Sequence, residues 1–471
     1  MAPPTAPEPV EVPTVSGGER AALETVACEG VGGRLATVAR TPAVVARDAI
    51  DTARTEGFDA LAALPVRELL ARLADAGRRF EDLGPGTAGL ENRDSYLERV
   101  ARATGYPVGW AGVSAHWLGY GLRHAGEALR AQSPTGGLAV YDDGTYVRER
   151  DVGLMFTPRV RCLGCAMPGN DPAAYAWPLL ALAMKLPVLI RPSDRDPFTP
   201  LRLARALRAA GVPESAVHVL PGERSLGDVL VRESDHGLAF GGADAVAPYR
   251  DDPAVQAYGP GRSLAVVGRE PTDADVDTLA RGVVRAGGRT CFNLSRVVAV
   301  GDCDPDALAD RLAERLLERT TTGSVLEPAT DLPAFPNRER GEQVAAAADR
   351  GEDVTARHRQ GSRRWSDDEG VRLGPTVVRV EESPPELPFP FVGVTGRSVG
   401  EPRAFVDALA PAYLGVVLGA PAVERAMARS PTVRKVYGGR YPASVDLRET
   451  HEEYLTAVCY ETTTYDPAAG D

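Results

Sequence analysis

The stretch Val188-Leu189-Ile190-Arg191-Pro192-Ser193-Asp194 anchors the reading of the middle of the chain. Three aliphatic residues run into a proline turn, the pattern of a short buried strand. Working outward, an apolar helix-length run, Ala173 to Leu186, precedes it. Before that run, a strand from Arg159 to Ala166 leads into Pro168-Gly169-Asn170-Asp171-Pro172. On the other side come a helix (Pro200 to Ala210), the turn Gly211-Val212-Pro213, a strand (Ala216 to Leu220) and Pro221-Gly222. The unit recurs with a helix from about Ser225, a strand Gly237 to Phe240, the turn Gly241-Gly242 and a helix from Ala243. Strands that alternate with helices form βαβ crossovers and a parallel sheet, so the expected class is α/β. The Gly241-Gly242 turn offers backbone N–H groups to a phosphate. No GxGxxG is present, so the fingerprint of the commonest dinucleotide fold is missing.

Downstream, Tyr258-Gly259-Pro260-Gly261-Arg262-Ser263 precedes a strand, Leu264 to Val267, and a helix, Asp273 to Ala286. That helix leads into Gly287-Gly288-Arg289-Thr290-Cys291-Phe292-Asn293 and a strand from Arg296 to Val300. A thiol at the mouth of a glycine turn can be approached closely, and its thiolate can attack a carbonyl carbon. A small buried cysteine is the alternative. An amphipathic helix (Pro305 to Arg319) follows, then polar residues 321–370, expected as loop and short helices. A strand, Pro375 to Val380, precedes Pro385-Glu386-Leu387-Pro388-Phe389-Pro390-Phe391.

The chain has 471 residues, 44% hydrophobic and 25% charged, an ordinary balance for a soluble globular protein of two or three domains. A net charge of −12 argues against nucleic acid as partner, and no apolar run reaches the length of a membrane span. Six scattered cysteines (28, 162, 165, 291, 303, 459) fit a reducing cytoplasm rather than a disulfide framework. Cys162 and Cys165 make a CxxC without a second pair, and the histidines form no HxH or HxxxH, so no metal site is expected. Residues 1–18, with five prolines and two glutamates, read as a disordered tail. Residues 19 to about 135 read as mostly helical, with Trp110, His116, Trp117 and Tyr120 as core. Leu138 to Tyr141 and Thr145 to Val147 flank Asp142-Asp143-Gly144, a hairpin signal and a candidate assembly arm. A late strand, Tyr454 to Thr462, could pair with that arm, ahead of an acidic tail.

The order strand–Pro-Gly-Asn, strand–Arg-Pro-Ser, Gly-x-Pro, Pro-Gly, Gly-Gly, Gly-Gly-x-x-Cys and Pro-Glu-x-x-Phe, from about Asp151 to Val423, resembles the aldehyde dehydrogenase superfamily. The resemblance implies two parallel-sheet domains and an oligomerisation arm. It divides the chain into a tail (1–18), a helical N-terminal part of the cofactor domain (19–136), the arm (137–157), the cofactor domain (158–262), the catalytic domain (263–440) and a C-terminal strand and tail (441–471). It implies Cys291 as nucleophile and Asn170 as oxyanion donor. Arg191, Ser193 and Asp194 fall at the adenosine ribose, and Gly241 and Gly242 at the pyrophosphate. Glu386 falls at the nicotinamide ribose and Phe389 beside the nicotinamide. The family usually has lysine where Arg191 stands.

Oxidising members carry Glu-Leu-Gly-Gly-Lys, whose glutamate activates water. Here the aligned segment is Gln256-Ala257-Tyr258-Gly259-Pro260-Gly261-Arg262-Ser263, without a carboxylate. That segment, with Tyr96-Leu97 and Ala103-Thr104-Gly105-Tyr106, resembles the long-chain acyl-CoA reductase branch. The implied reaction is NADPH- or NADH-dependent reduction of an acyl-CoA or acyl carrier protein thioester to an aldehyde, in a cytoplasmic homo-oligomer, dimer or tetramer. The alternatives are aldehyde oxidation to acid, which needs a base outside the aligned segment, an acyl-phosphate reductase, and a silent scaffold.

Overall fold

A computed structural model describes residues 6–81, 90–149, 152–442, 444, 446–449 and 451–465. Two seven-stranded sheets organise them. In the first, the strands run in the order Val255–Tyr258, His236–Phe240, Leu163–Ala166, Val188–Arg191 and Val217–Val219, all parallel. The fully buried Val188–Arg191 strand shows why the apolar run before Pro192 is a central strand: both faces are covered. In chain order, the strand after Leu163–Ala166 lies on one side of it and His236–Phe240 on the other. Direction of winding therefore reverses between these two strands, and the crevice beyond their C-terminal ends is where ligands of open α/β sheets bind. Pro168-Gly169-Asn170 and Gly241-Gly242 lie in the turns that leave those ends.

The second sheet orders Thr376–Arg379, Phe391–Gly396, Arg296–Ala299, Leu264–Val267, Ala412–Leu418 and Val433–Gly438 in parallel, with the short antiparallel Glu352–Asp353 at one edge. The Cys291 turn, Ser263 and Glu386 all precede strands of this sheet. The chain thus sets C-terminal strand ends of one sheet against N-terminal strand ends of the other.

Several expectations shift. Residues 1–5 of the expected tail lie outside the described residues, but Val10–Val12 and Thr14–Val15 are strands. Val10–Val12 pairs in parallel with Gly33–Ala39, and Thr14–Val15 extends the first sheet antiparallel to Val217–Val219. Alternation of valines with polar residues outweighs the prolines there, which cap edge strands. Residues 25–39 form a hairpin rather than helix, and helices follow at Val66–Glu81, Arg93–Thr104, Val108–Arg123 and Ala125–Gln132. His116 is exposed, not core, in an edge-to-face cluster with Trp117.

The arm lies one element later than its turn signal suggested. Val140–Asp143 is a short helix ended by Gly144 at φ 73°, and Thr145–Glu149 pairs with Val152–Pro158. The late strand starts at Tyr460, after a helix at Leu455–Cys459, and pairs with Val152–Pro158 as far as Tyr465. Residues 466–471 of the expected tail lie outside the described residues. At the end of the polar stretch 321–370, Arg364–Asp367 pairs with the whole of Gly370–Leu373 as a hairpin.

Candidate active site

Cys291 sits on a turn of unusual backbone. Ala286, Gly287 and Gly288 have φ of 52°, 62° and 73° in succession. A Cβ on Gly288 would lie 2.3 Å from the Phe389 backbone, so only glycine permits this left-handed residue to pack there. Asn293 closes the turn from inside. Its Nδ2 donates to the carbonyls of Gly282, Val283 and Arg285 at 2.7–3.2 Å, and its Oδ1 accepts from the Thr290 N–H at 2.7 Å. The buried Arg289 guanidinium donates to the carbonyls of Thr104 and Ala334, both at 2.7 Å, tying the turn to the end of the Arg93–Thr104 helix and to the strand Ala334–Phe335. Burial lowers the Arg289 pKa to about 9.

The segment 259–263 packs on the other side of the turn. The Ser263 hydroxyl donates to the Cys291 carbonyl at 2.5 Å, and Gly261 lies directly against Cys291. Glu386 Oε2 accepts from the Arg262 N–H at 3.0 Å, and burial raises its carboxyl. Asn170 reaches the same turn from the first sheet, where its Nδ2 donates to the Arg289 carbonyl at 2.6 Å. Its Oδ1 is buried without a hydrogen-bond partner.

The strand ends of the first sheet carry the remaining expected residues. Arg191 is buried and donates to the Gly222 carbonyl at 2.8 Å and to Asp194 Oδ1 at 2.5 Å, forming an ion pair with Asp194. A Cβ on Gly169 would lie 2.2 Å from Ser193 Oγ, which accepts from the Arg195 N–H. Gly241 bonds back to the Tyr258 carbonyl, while the Cβ direction of Gly242 is open space. Phe389 is 1% exposed and tilts against Phe391 in a core cluster beneath the Cys291 turn. Its ring stands inside the core rather than on an open face.

Sequence reasoning missed the C-terminal contribution. His451 Nε2 lies 3.7 Å from Cys291 Sγ. Its ring centre stands 5.2 Å from Trp177, 5.4 Å from Tyr258 and 4.6 Å from Tyr413. Burial lowers the imidazole pKa to about 3, and Lys435 adds to the effect. Next to it, burial holds the Glu452 carboxyl up at about 7, opposed by Arg434 and reinforced by Glu453. Burial also pushes the Cys291 thiol well above its ordinary range. Glu386, Glu452 and Asp171 push the same way, against Lys435. Trp177 Nε1, Tyr258 Oη, Tyr413 Oη and His451 Nδ1 are buried and have no partner among the described residues. Unsatisfied buried polar atoms cost about 1–3 kcal/mol each, so their gathering around one thiol marks a place built for polar chemistry. No group of three or more potential metal ligands occurs among the described residues. None of their helices is long and apolar enough to cross a membrane.

The model of the aldehyde dehydrogenase family matches residues 163–385. Malonate-semialdehyde dehydrogenase of Pseudomonas aeruginosa is 30% identical over 159 residues, 31% of this chain and 31% of that protein. The alignment thus spans about a third of that relative's length. Malonate-semialdehyde dehydrogenase 1 of Geobacillus thermodenitrificans is 26% identical over 350 residues, 64% of this chain and 71% of the relative. Among solved structures, indole-3-acetaldehyde dehydrogenase complexed with NAD+ superposes with a TM-score of 0.75 at 20% identity, covering 96% of this chain and 95% of its own. The chain has the aldehyde dehydrogenase fold, and these matches support the superfamily. They do not support the narrower acyl-CoA reductase branch, since the relatives named are aldehyde dehydrogenases.

Proposed function

We propose that this chain is an NAD(P)-dependent oxidoreductase of the aldehyde dehydrogenase superfamily that oxidises an aldehyde to an acid through a thioester on Cys291. The observation that carries the reading is Cys291 at the meeting of the two sheets, with His451 and Glu452 beside it. Acid release needs a group that deprotonates water. Segment 256–263 has none, but Glu452, at about 7, is half ionised near neutral pH.

The residues present fit a dinucleotide. Gly242 leaves its Cβ direction open at the crevice, and Asn170 Oδ1 awaits a donor. Arg191, Ser193 and Asp194 would hold the adenosine ribose, Gly241 and Gly242 the pyrophosphate, and Glu386 the nicotinamide ribose. The bound dinucleotide supplies hydride acceptance in oxidation and hydride delivery in reduction.

The chain's own residues do the rest. Cys291 Sγ bonds the aldehyde carbon, and the π pair of the carbonyl moves to oxygen. The second N–H of the Asn170 amide and the Cys291 backbone N–H hold that oxygen, a placement of donors typically worth about 10²–10³ in rate. After the thioester forms, water adds to its carbonyl while Glu452 takes the proton. The C–S bond then breaks and the Cys291 sulfur recovers a proton.

The alternative is reduction of an acyl-CoA or acyl carrier protein thioester, favoured by the missing carboxylate in segment 256–263. Product analysis separates the two. Aldehyde and oxidised dinucleotide without CoA should yield free acid at a rate that CoA does not raise. Thioester formed only with CoA, and no acid without it, would favour the reductase. We also assign the three-stranded sheet of 145–149, 152–158 and 460–465 to self-association.

A further inference from the structure

We propose that His451, delivered to the site by the segment that follows the second sheet, is the proton acceptor for the Cys291 thiol. This deepens the reading above and rests on Cys291 as its nucleophile. Among the described residues, His451 Nε2 is the side-chain atom recorded within hydrogen-bonding distance of Cys291 Sγ, at 3.7 Å. Glu452, assigned to water above, has no recorded hydrogen bond to Sγ, and the other rival bases are engaged or unsuited. Glu386 accepts from the Arg262 backbone, Lys435 Nζ is paired to Glu449 at 2.8 Å, and burial keeps the Tyr258 and Tyr413 phenols protonated.

The imidazole is placed rather than loosely packed. Three rings hold it: Trp177 from the helix beyond the Asn170 turn, Tyr258 from the edge of the first sheet, and Tyr413 from the second sheet. Tyr258 is itself stacked on Phe240 at 4.5 Å. The chain just after His451 is pinned. Thr456 bonds Gln132 through both its N–H and its hydroxyl, and the Tyr460 hydroxyl donates to the Met184 carbonyl at 2.5 Å.

The proton arithmetic closes. The resting pair is neutral, because the thiol is raised and the imidazole lowered. Nδ1 has no partner, so it can carry the ring proton and leave the Nε2 lone pair facing the thiol. As the Sγ–C bond forms, the S–H bond breaks and its proton passes to Nε2. Burial and the Lys435 charge both disfavour the imidazolium, so the ring holds the proton only while the adduct forms. The neutral pair therefore stores no charge at rest and develops it only when an electrophile arrives.

The test needs neither aldehyde nor dinucleotide. Iodoacetamide forms a C–S bond at Cys291 and expels iodide, and mass spectrometry of the peptide gives the rate. His451→Phe keeps a ring in the aromatic cradle and should slow alkylation at pH 7 at least about tenfold with little change in thermal midpoint. His451→Gly should be equally slow and regain rate when imidazole is added. Wild-type labelling rates in a folded His451→Phe protein, no response of His451→Gly to imidazole, or no Cys291 labelling in the wild type would each overturn the proposal. His451-dependent alkylation without aldehyde oxidation would retain the pair and remove the oxidation reading. Oxidation with His451-independent alkylation would do the reverse.

Discussion

A Cβ on Gly261 would stand 2.7 Å from both the Cα and the carbonyl oxygen of Cys291. These are backbone contacts, so the cysteine turn itself must move if Gly261 gains a methyl group. Gly261 also accepts from the Tyr413 N–H at 2.7 Å, so it cannot retreat without breaking a bond to the second sheet.

Gly261→Ala should therefore displace Sγ from His451 Nε2. The expected outcome is a fall in Cys291 alkylation and in turnover of tenfold or more, with a modest drop in thermal midpoint. Pre-organised groups lose this much from shifts of about an ångström. Unaltered alkylation would show that the turn absorbs the methyl group.

The apparatus around the cysteine was legible wherever local sequence carries the signal. Short buried strands between Pro/Gly turns announce themselves, so Val188–Arg191, Leu264–Val267 and the Gly288–Cys291 turn fall where their residues imply. The division of labour between Cys291 and His451, 160 residues apart, leaves no such mark. His451 lies in a polar stretch, and long-range contacts such as the pairing of Tyr460–Tyr465 with Val152–Pro158 and the bonds of Thr456 to Gln132 bring that stretch back over Cys291. A base outside the aligned segment could be called for by chemistry, but its address could not. The same limit applies at the start of the chain. The prolines flanking Val10–Val12 suggest disorder, and the partner strand Gly33–Ala39 that makes it an edge strand is some twenty residues away.

Acid should unfold this protein through histidines buried neutral. His218 is fully buried, with Nδ1 3.0 Å from Ser16 Oγ and Nε2 2.9 Å from the Ser215 carbonyl. Burial lowers its pKa from the usual 6.5 to about 4. The unfolded chain binds a proton here between those values while the folded chain does not, so the folded state loses stability as pH falls from about 6.5 to about 4, by roughly 3 kcal/mol at this residue. His236, also at about 4, acts in the same direction. Asp196, raised to about 6, acts in the opposite one. Comparing wild type with His218→Gln cancels both. The thermal midpoint of the variant should drop less than that of wild type between pH 6.5 and 4.5. Parallel curves would mean that His218 titrates normally in the folded state.

Glu386 is placed to act twice, and the two actions predict opposite changes in rate. Its Oε2 accepts from the Arg262 N–H, fastening the segment that packs on Cys291. Its charge also faces the thiol and, after burial, is the largest contribution that raises the Cys291 pKa. Glu386→Gln keeps an acceptor oxygen for Arg262 but removes the charge. A thiol with one like charge fewer beside it ionises more readily, so iodoacetamide should label Cys291 several-fold faster than in wild type. If Glu386 also grips the nicotinamide ribose, the step that forms reduced dinucleotide should slow by about tenfold in the same variant, because an ionised acceptor is replaced by a weaker neutral one. Faster alkylation with slower reduced-dinucleotide formation, read by mass spectrometry and by single-turnover absorbance, is the expected pair. A fall in both rates would mean that the substitution loosens the 261–262 turn, and that Glu386 serves as its clasp rather than as a ligand of the cofactor.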